Sequence, residues 1–215
     1  AWALLLQRYS GEDDVVFGAT VSGRAAPVPG IEKMVGLFIN TLPVRARATS
    51  GDTVAAWLAA LQARQAEQRE LEYSPLAQVQ GWAETPRGRA LFDSIVVFEN
   101  FPIEELEQKG VRGVELSDVS VTEATSYPLT LVAAVHRVLS LRLQYDRRLF
   151  DRGPVERALG HLATLIEAMV DSPSARLDSL SILTDEERAK LLFGWNDTAE
   201  DYPHATCVHE LVTAQ

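Results

Sequence analysis

Two hydrophobic periods follow each other within residues 139–169, and they constrain the fold more than any other feature of the chain. The first is a strict alternation of apolar and polar residues, which predicts a β-strand with one buried face. It runs through Leu139, Leu141, Leu143 and Tyr145. The second repeats at spacings of four and three, which predicts an amphipathic helix with Pro154 in its first turn. It runs through Val155, Leu159, Leu162, Ile166 and Met169.

The same patterns predict an α/β fold with a mixed β-sheet flanked by helices. Strands are predicted over residues 15–21, 38–48, 91–98, 114–121, 129–136 and 139–149. Residues 2–9 are typical of the end of a helix that starts upstream, and a second helix is predicted from Asp52 as its N-cap to about Tyr73. Pro43 indicates an edge strand or a bulge, and Trp57 lies on the apolar stripe of its helix as a core anchor.

Composition excludes several classes of function. The formal net charge of -10 argues against nucleic-acid binding. We interpret four arginines as side chains on solvated strand edges rather than as a phosphate site: Arg137, Arg142, Arg147 and Arg148. No apolar run of about 18 residues and no signal peptide is present, so we expect a cytoplasmic protein without membrane contact. The single cysteine, Cys207, excludes an intrachain disulfide and is expected to be an ordinary thiol, with no metal site.

A search for catalytic residues finds little. The four histidines, His136, His161, His204 and His209, are scattered, and no metal-binding pair is present. We expect structural roles for His136, in an apolar strand, and for His161, on the 155–169 helix. No nucleophile elbow, phosphate loop or dinucleotide fingerprint occurs. The residues alone therefore predict an acidic α/β domain without an assigned role.

Four segments in fixed order nevertheless resemble a known family, the condensation domains of nonribosomal peptide synthetases. Residues 36–45, Gly-Leu-Phe-Ile-Asn-Thr-Leu-Pro-Val-Arg, are similar to the family's fifth core motif, and residues 17–24 are similar to the strand and Ser-Gly-Arg turn that precede it. Residues 73–76 and 91–102 resemble the sixth and seventh motifs. Within the last segment, Val-Val-Phe-Glu-Asn-Phe-Pro most resembles domains that accept an L-configured donor.

The end of the chain resembles the passage from such a domain into an adenylation domain. Residues 184–192, Trp-Asn-Asp-Thr at 195–198, Tyr-Pro at 202–203 and His-Glu-Leu at 209–211 carry this similarity. Thr184 and Glu187 have the spacing of a capping box, which predicts a short helix to about Phe193. We therefore expect a C-terminal lobe over residues 1–172, a connector over 173–195 and the start of an adenylation domain over 196–215.

The resemblance implies a chloramphenicol-acetyltransferase-like lobe, one of two that enclose a tunnel. Such a domain joins an upstream aminoacyl or peptidyl thioester to the amine of a downstream aminoacyl thioester and so forms an amide. Both substrates are tethered to phosphopantetheine arms of carrier proteins, and no cofactor is bound directly. The implied partners are the N-terminal lobe, the two carrier proteins and the adenylation domain.

The family's catalytic His-His-x-x-x-Asp-Gly motif belongs to the other lobe and is absent from these residues. No catalytic residue is therefore assigned, and the chain is expected to be inactive alone. Tunnel or lobe-interface positions are predicted at Ser22, Arg24, Asn40, Thr41 and Asp93. For Asn40 a bond to the backbone of a neighbouring turn is an equal alternative, and for Arg24 a surface salt bridge competes with the phosphate of the arm.

Two alternative functions stay open at this point. One is a noncatalytic docking platform for carrier proteins or for the adenylation domain. The other is a lobe of an epimerization domain, which shares the fold but usually differs at the Phe-Ile-Asn-Thr segment. The presence or absence of an intact histidine motif before Ala1 discriminates catalysis from docking.

Overall fold

The structure is a computed structural model, and it describes residues 1–49, 51–86, 88–99, 125–135, 137–201 and 206–214. The predicted strand over 114–121, the end of the seventh-motif segment from Asn100 onward, and His136, Tyr202, Pro203 and His204 lie outside the described residues. The chain divides into two compact units, Ala1–Ile182 and Leu183–Gln215.

The first unit contains both helices and strands, as predicted for an α/β fold. Its helices are α1 (Trp2–Ser10), α2 (Val54–Gln68), α3 (Leu76–Trp82) and α4 (Arg152–Asp171). Its strands are β1 (Asp14–Val21), β2 (Asn40–Arg47), β3 (Ser94–Glu99), β4 (Leu129–Val135) and β5 (Leu139–Tyr145). Short 3₁₀ turns occur at Ile31–Lys33, Arg69–Leu71 and Leu177–Ser179.

Among the described residues, the strands form one mixed five-stranded sheet in the order β2-β1-β3-β4-β5. The two central pairings, β1 with β3 and β3 with β4, are parallel, and both edge strands pair antiparallel with their neighbours. The mixed sheet is therefore confirmed. Pro43 lies on β2, an edge strand, where a residue without an N–H is tolerated.

One face of the sheet carries the core. Phe17, Val44 and Leu131 are buried there against α1, α2 and α4. Trp57 is 3% exposed and donates its indole N–H to the carbonyl oxygen of Arg47 at 2.6 Å, so its prediction as a core anchor is confirmed. Leu162 from α4 is also fully buried, which fits the apolar period that predicted this helix.

Several element boundaries differ from the sequence prediction. The N-cap of α2 is Thr53, whose side chain accepts from the Ala56 amide, so the assignment to Asp52 is wrong. The strand predicted over 91–98 begins only at Ser94. The strand predicted to Leu149 ends at Tyr145, because the chain turns at Asp146, whose carbonyl oxygen accepts from the Leu149 and Phe150 amides.

The segment after α4 packs on the first unit rather than leaving it. Leu177 donates its amide to the Asp52 carbonyl at 3.0 Å, and Arg176 forms an isolated β-bridge with Thr53. Leu177 and Leu180 are buried. The compact unit therefore extends to Ile182, past the predicted lobe boundary at 172.

The second unit contains the predicted capping box. Thr184 accepts from the Glu187 amide, Glu187 accepts in return from the Thr184 amide, and α5 (Asp185–Ala189) follows. A single π-helical turn, Lys190–Gly194, continues it, so the predicted extent to about Phe193 is confirmed. A short helix α6 (Val208–Thr213) follows, and Cys207 before it is an exposed free thiol. Across the described residues, no helix has the length and apolar character that crossing a membrane requires.

Candidate functional site

A groove opens at the carboxyl ends of β1 and β3, where two parallel strands finish at the same edge of the sheet. We call it the β1–β3 groove, and its volume is about 530 Å³. Its lining is Thr20, Val21, Ser22, Arg24, Gly36, Leu37, Phe38, Ile39, Ile95, Val97, Phe98, Glu99 and Thr125. Carboxyl ends of parallel strands are a common place for ligand sites in α/β folds. The groove contains Ser22 and Arg24 of the five predicted site residues.

The turn after β1 depends on Gly23. Its φ of 66° lies in the left-handed region, and a Cβ at this position would overlap the carbonyl oxygen of Phe38. The two segments of the groove rim therefore pass each other at backbone distance. Ser22 is exposed beside this crossing, and its Oγ accepts a 3.3 Å bond from the Arg24 amide.

Arg24 holds the opposite rim in place. Its Nη1 donates to the carbonyl oxygens of Ile31 and Met34, the latter at 3.1 Å. The guanidinium also lies 4.4 Å from the centre of the Phe38 ring, a cation–π distance. Among the described residues Arg24 thus binds carbonyls and a ring, and the expected surface salt bridge is absent. Its geometry fixes the 31–38 segment as a wall of the groove.

The segment fixed by Arg24 presents apolar side chains to solvent. Leu37 is 90% exposed and Ile39 is 62% exposed, and both line the groove. Val35 is fully exposed next to them. Apolar residues concentrated on one short segment mark a binding surface more often than scattered ones do.

Asn40 is not among the residues that line the groove. Its Nδ2 donates to the carbonyl oxygens of Glu72 and Ser74, at 2.9 and 2.7 Å, and its Oδ1 accepts from the Thr41 amide at 2.9 Å. Both hydrogens of the amide nitrogen therefore serve the backbone of the turn before α3. Of the two alternatives for Asn40, the structure therefore shows the bond to the backbone of a turn.

Thr41 and Asp93 also lie outside the groove lining. Thr41 is paired with Thr20 across the β1–β2 ladder and is half-buried. Asp93 is exposed just before the amino end of β3, whereas the groove lies at the carboxyl end of that strand. The structure therefore brings together two of the five predicted positions.

Sequence reasoning assigned no role to Glu99, the last residue of β3. Its side chain lines the groove, is 22% exposed, and has Arg142 Nη2 at 3.7 Å. Thr125 also lines the groove and shares a 2.6 Å hydrogen bond with Thr130, which pairs with Ile95 nearer the start of β3. The one available signal was an acidic residue closing an otherwise apolar strand. The pairing with Arg142 depends on β4 and β5, which a local pattern does not reveal.

Other titratable groups have structural partners. His161 is buried, and its Nδ1 lies 2.7 Å from the Tyr9 hydroxyl, which confirms its predicted structural role. Arg148 forms a fork with Asp146 and holds the pKa of that carboxyl down, at about 2. Its side chain is largely exposed, as predicted, but it lies in the turn after β5 rather than on a strand edge. No cluster of potential metal ligands occurs in the part of the chain that the structure describes.

Comparisons with known proteins all indicate the same family. The model of the Condensation domain family matches residues 1–192. One of the linear gramicidin synthase proteins of Brevibacillus parabrevis is 46% identical over 215 residues, which are 100% of this chain and 4% of that protein. Bacitracin synthase 3 of Bacillus licheniformis is 36% identical over 218 residues, covering 100% of this chain and 3% of that protein. The chain thus spans a small fraction of the relatives it matches.

Solved structures share the fold. A four-domain nonribosomal peptide synthetase, holo-AB3403 bound to AMP and glycine, superposes with a TM-score of 0.73 at 17% identity, over 87% of this chain and 15% of that one. The starter condensation domain of rhizomide synthetase RzmA superposes with a TM-score of 0.65 at 18% identity, over 85% of this chain and 43% of that one. At these identities the likeness establishes the fold.

Proposed function

This chain belongs to the condensation domain family, and on that premise we propose that it is the C-terminal lobe of an amide-forming domain in a nonribosomal peptide synthetase. The observation that carries the proposal is the β1–β3 groove, which is built from the segments similar to the fifth and seventh family motifs. The match to 43% of a starter condensation domain chain supports a contribution of about one lobe.

In the proposed reaction the amine nitrogen of the acceptor attacks the thioester carbonyl carbon of the donor. A C–N bond forms, the C–S bond breaks, and the donor arm leaves as a thiol while the amine gives up a proton. This lobe contributes a wall against which a tethered substrate is held. Holding two reactants at attack distance can supply about 7 to 11 kcal/mol of the barrier reduction.

Each groove residue has a role in this scheme. Arg24 is a positioning residue, because it fixes the 31–38 segment through two carbonyl oxygens. The exposed Ser22 hydroxyl is available to the amide groups of a phosphopantetheine arm, whose alkyl parts suit Leu37 and Ile39. The arm belongs to the substrate. Asn40 acts indirectly, through the turn that it holds.

The partners follow from the same proposal. They are an N-terminal lobe carrying the His-His-x-x-x-Asp-Gly motif, an upstream and a downstream carrier protein, and an adenylation domain. We propose residues 173–195 as the connector and 196–215 as the start of the adenylation domain. The packing of Leu177 and Leu180 on the first unit supports a connector whose beginning is fixed to the lobe.

The test uses the intact polypeptide that contains this chain. Its sequence before Ala1 is first read by mass spectrometry for the histidine motif. Two carrier proteins, loaded enzymatically from synthetic aminoacyl coenzyme A, are then added, and intact-protein mass spectrometry follows the acceptor carrier. We expect a dipeptidyl thioester on the acceptor, with the isolated 215-residue chain as an inactive control.

Other results have defined meanings. A degenerate histidine motif, carrier binding and no amide would favour the docking platform over catalysis. Inversion of the donor α-carbon without transfer, detected by chiral chromatography of the released amino acid, would favour an epimerization domain. Amide formation by the isolated chain would contradict the proposed need for a second lobe.

A further inference from the structure

The geometry points to the β1–β3 groove as the binding site of the acceptor aminoacyl group, with its ammonium at Glu99 and an apolar side chain against Leu37 and Ile39. This inference rests on the proposed function and adds to it a substrate class, an α-amino acid with an aliphatic or aromatic side chain. It concerns binding of the acceptor before bond formation.

The first support is the chemical character of the lining. Seven of its thirteen residues are large and apolar: Val21, Leu37, Phe38, Ile39, Ile95, Val97 and Phe98. Three of these, Leu37, Ile39 and Phe98, expose more than half of their surface. A ligand that covers such surface is bound by its release from water, so an apolar side chain is favoured over a charged one. A volume of about 530 Å³ also lies within the usual range of small-ligand pockets.

The second support is the negative charge of Glu99 in the groove lining. Glu99 is an acceptor-only group with several lone-pair positions. Its described ionic partner is Arg142, whose Nη2 is 3.7 Å away, beyond normal hydrogen-bond length, and whose side chain is 48% exposed. The carboxylate therefore retains capacity to accept hydrogen bonds. An ammonium group entering the groove supplies three N–H donors for it.

Together these features are complementary to one kind of occupant. A carboxylate beside an apolar wall matches a molecule that carries an ammonium next to an apolar side chain, which is an α-aminoacyl group. Of the two tethered substrates, the acceptor always carries a free amine. A peptidyl donor has its α-nitrogen already in an amide, so the acceptor is the substrate that presents an α-ammonium in every reaction cycle.

The positive charge of Arg24 favours Glu99 as the position of the ammonium. Its guanidinium is held by the Ile31 and Met34 carbonyls and by the Phe38 ring, on the rim that carries Leu37. A guanidinium on the rim disfavours an ammonium beside it, whereas the carboxylate of Glu99 attracts one.

The test uses two substitutions in the intact polypeptide. Binding is measured with acceptor carriers that hold a leucyl, lysyl or 4-methylpentanoyl group through a non-hydrolysable amide. Turnover is measured with acceptor carriers that hold a leucyl or lysyl thioester. Glu99→Gln keeps the shape and removes the charge. Leu37→Asp places a carboxylate on the apolar wall at a residue whose exposure keeps its folding cost small. The matched controls are Glu12→Gln, an exposed acid outside the groove, and Val138→Asp, 73% exposed between β4 and β5.

We expect the unmodified protein to bind the leucyl carrier about tenfold more tightly than the 4-methylpentanoyl carrier, which lacks the amine, a difference of about 1.4 kcal/mol. Glu99→Gln removes this preference and raises KM for the leucyl acceptor more than it lowers kcat. Leu37→Asp lowers kcat/KM for the leucyl acceptor and raises it for the lysyl acceptor. Both controls keep the original preference.

The outcomes separate the inference from the function on which it rests. Amide formation with acceptor preferences unchanged by Glu99→Gln and Leu37→Asp would overturn the inference alone. Failure of the intact polypeptide to form an amide with any acceptor would overturn the proposed function and the inference together. Thermal melts of each variant show whether a lost preference reflects the groove or a loss of folded protein, and only the former supports the inference.

Discussion

Asn40 donates a hydrogen bond from Nδ2 to the carbonyl oxygen of Ser74 at 2.7 Å, joining the first residue of β2 to the turn that precedes α3. The same nitrogen donates to the Glu72 carbonyl, and both acceptor residues are buried. The residue that the family motif marks most clearly is thus a link between two segments that lie far apart along the chain. We therefore propose that Asn40 acts on function only indirectly, through the segments that it links.

Asn40→Ala is therefore expected to lower stability and activity together. Two bonds to carbonyls of buried residues are lost, at about 1 kcal/mol each, so the free energy of unfolding should fall by about 2 kcal/mol. Asn40→Asp should be at least as damaging, because it puts an acceptor opposite two carbonyl oxygens. Urea denaturation and the amide-forming assay measure the two effects. A slower reaction at an unchanged melting temperature would instead assign Asn40 a direct role in the tunnel.

Gly23 and Gly11 separate backbone strain from steric overlap. Both have positive φ, 66° and 74°, but a Cβ at Gly23 would overlap the Phe38 carbonyl oxygen while a Cβ at Gly11 meets open space. Gly11→Ala is expected to cost about 1 kcal/mol from the left-handed conformation alone. Gly23→Ala should cost clearly more, because the groove rim must also move. Thermal melts of the two variants test this, and equal costs would contradict the close crossing of the rim segments.

Much of the fold could be predicted because its signals are local. The period of four and three indicated α4, the alternation indicated β5, and Thr184 with Glu187 indicated the capping box of α5. Pro43 indicated an edge strand or a bulge, because proline lacks the amide hydrogen that a central strand needs, and β2 is an edge strand among the described residues. Each of these features depends on residues within one element.

The site was predicted less completely because its contacts join distant segments. Arg24 binds carbonyls of a segment that had no pattern of its own, and Glu99 meets Arg142 only through the pairing of β3, β4 and β5. The segments that resemble the family motifs also contribute to the groove, but only the structure shows which of their residues line it. Asp93 shows the difference, since it belongs to the seventh-motif segment yet lies at the other end of β3.

The ion pairs of Asp14 lead us to expect that the stability of the fold depends on pH. Arg45 and Arg47 bind its carboxylate, and the hydrogen bonds from Arg45 above all hold its pKa well below the ordinary value of 3.8. A carboxyl group whose pKa is lower in the folded state than in the unfolded state adds to the free energy of unfolding when the pH is above its unfolded-state pKa. This contribution is lost progressively as the pH falls below about 4. Asp14→Asn should therefore be less stable than the unmodified protein at pH 7, and the difference between their free energies of unfolding should be smaller at pH 3.

The effect at Asp14 is expected to be small, because the two arginine side chains are exposed and surface ion pairs are screened by salt. Urea denaturation at pH 7 and pH 3, in low and in 1 M salt, measures it. Glu12→Gln, an exposed acid after α1, is the control and should show no such narrowing. A gap that widened on acidification would rule out the proposed ion-pair origin.

Arg8 fixes the beginning of the proposed connector to the lobe. Its Nη2 donates to the carbonyl oxygens of Leu177, Asp178 and Leu180, at 2.9, 3.3 and 3.4 Å. Arg8→Ala should cost about 1 kcal/mol and speed hydrogen exchange at the Leu177 amide, whose bond to the Asp52 carbonyl depends on this placement. Arg64→Ala, which removes a bond inside α2 only, should leave that exchange unchanged. Equal exchange rates in both variants would show that burial of Leu177 and Leu180 alone holds the segment.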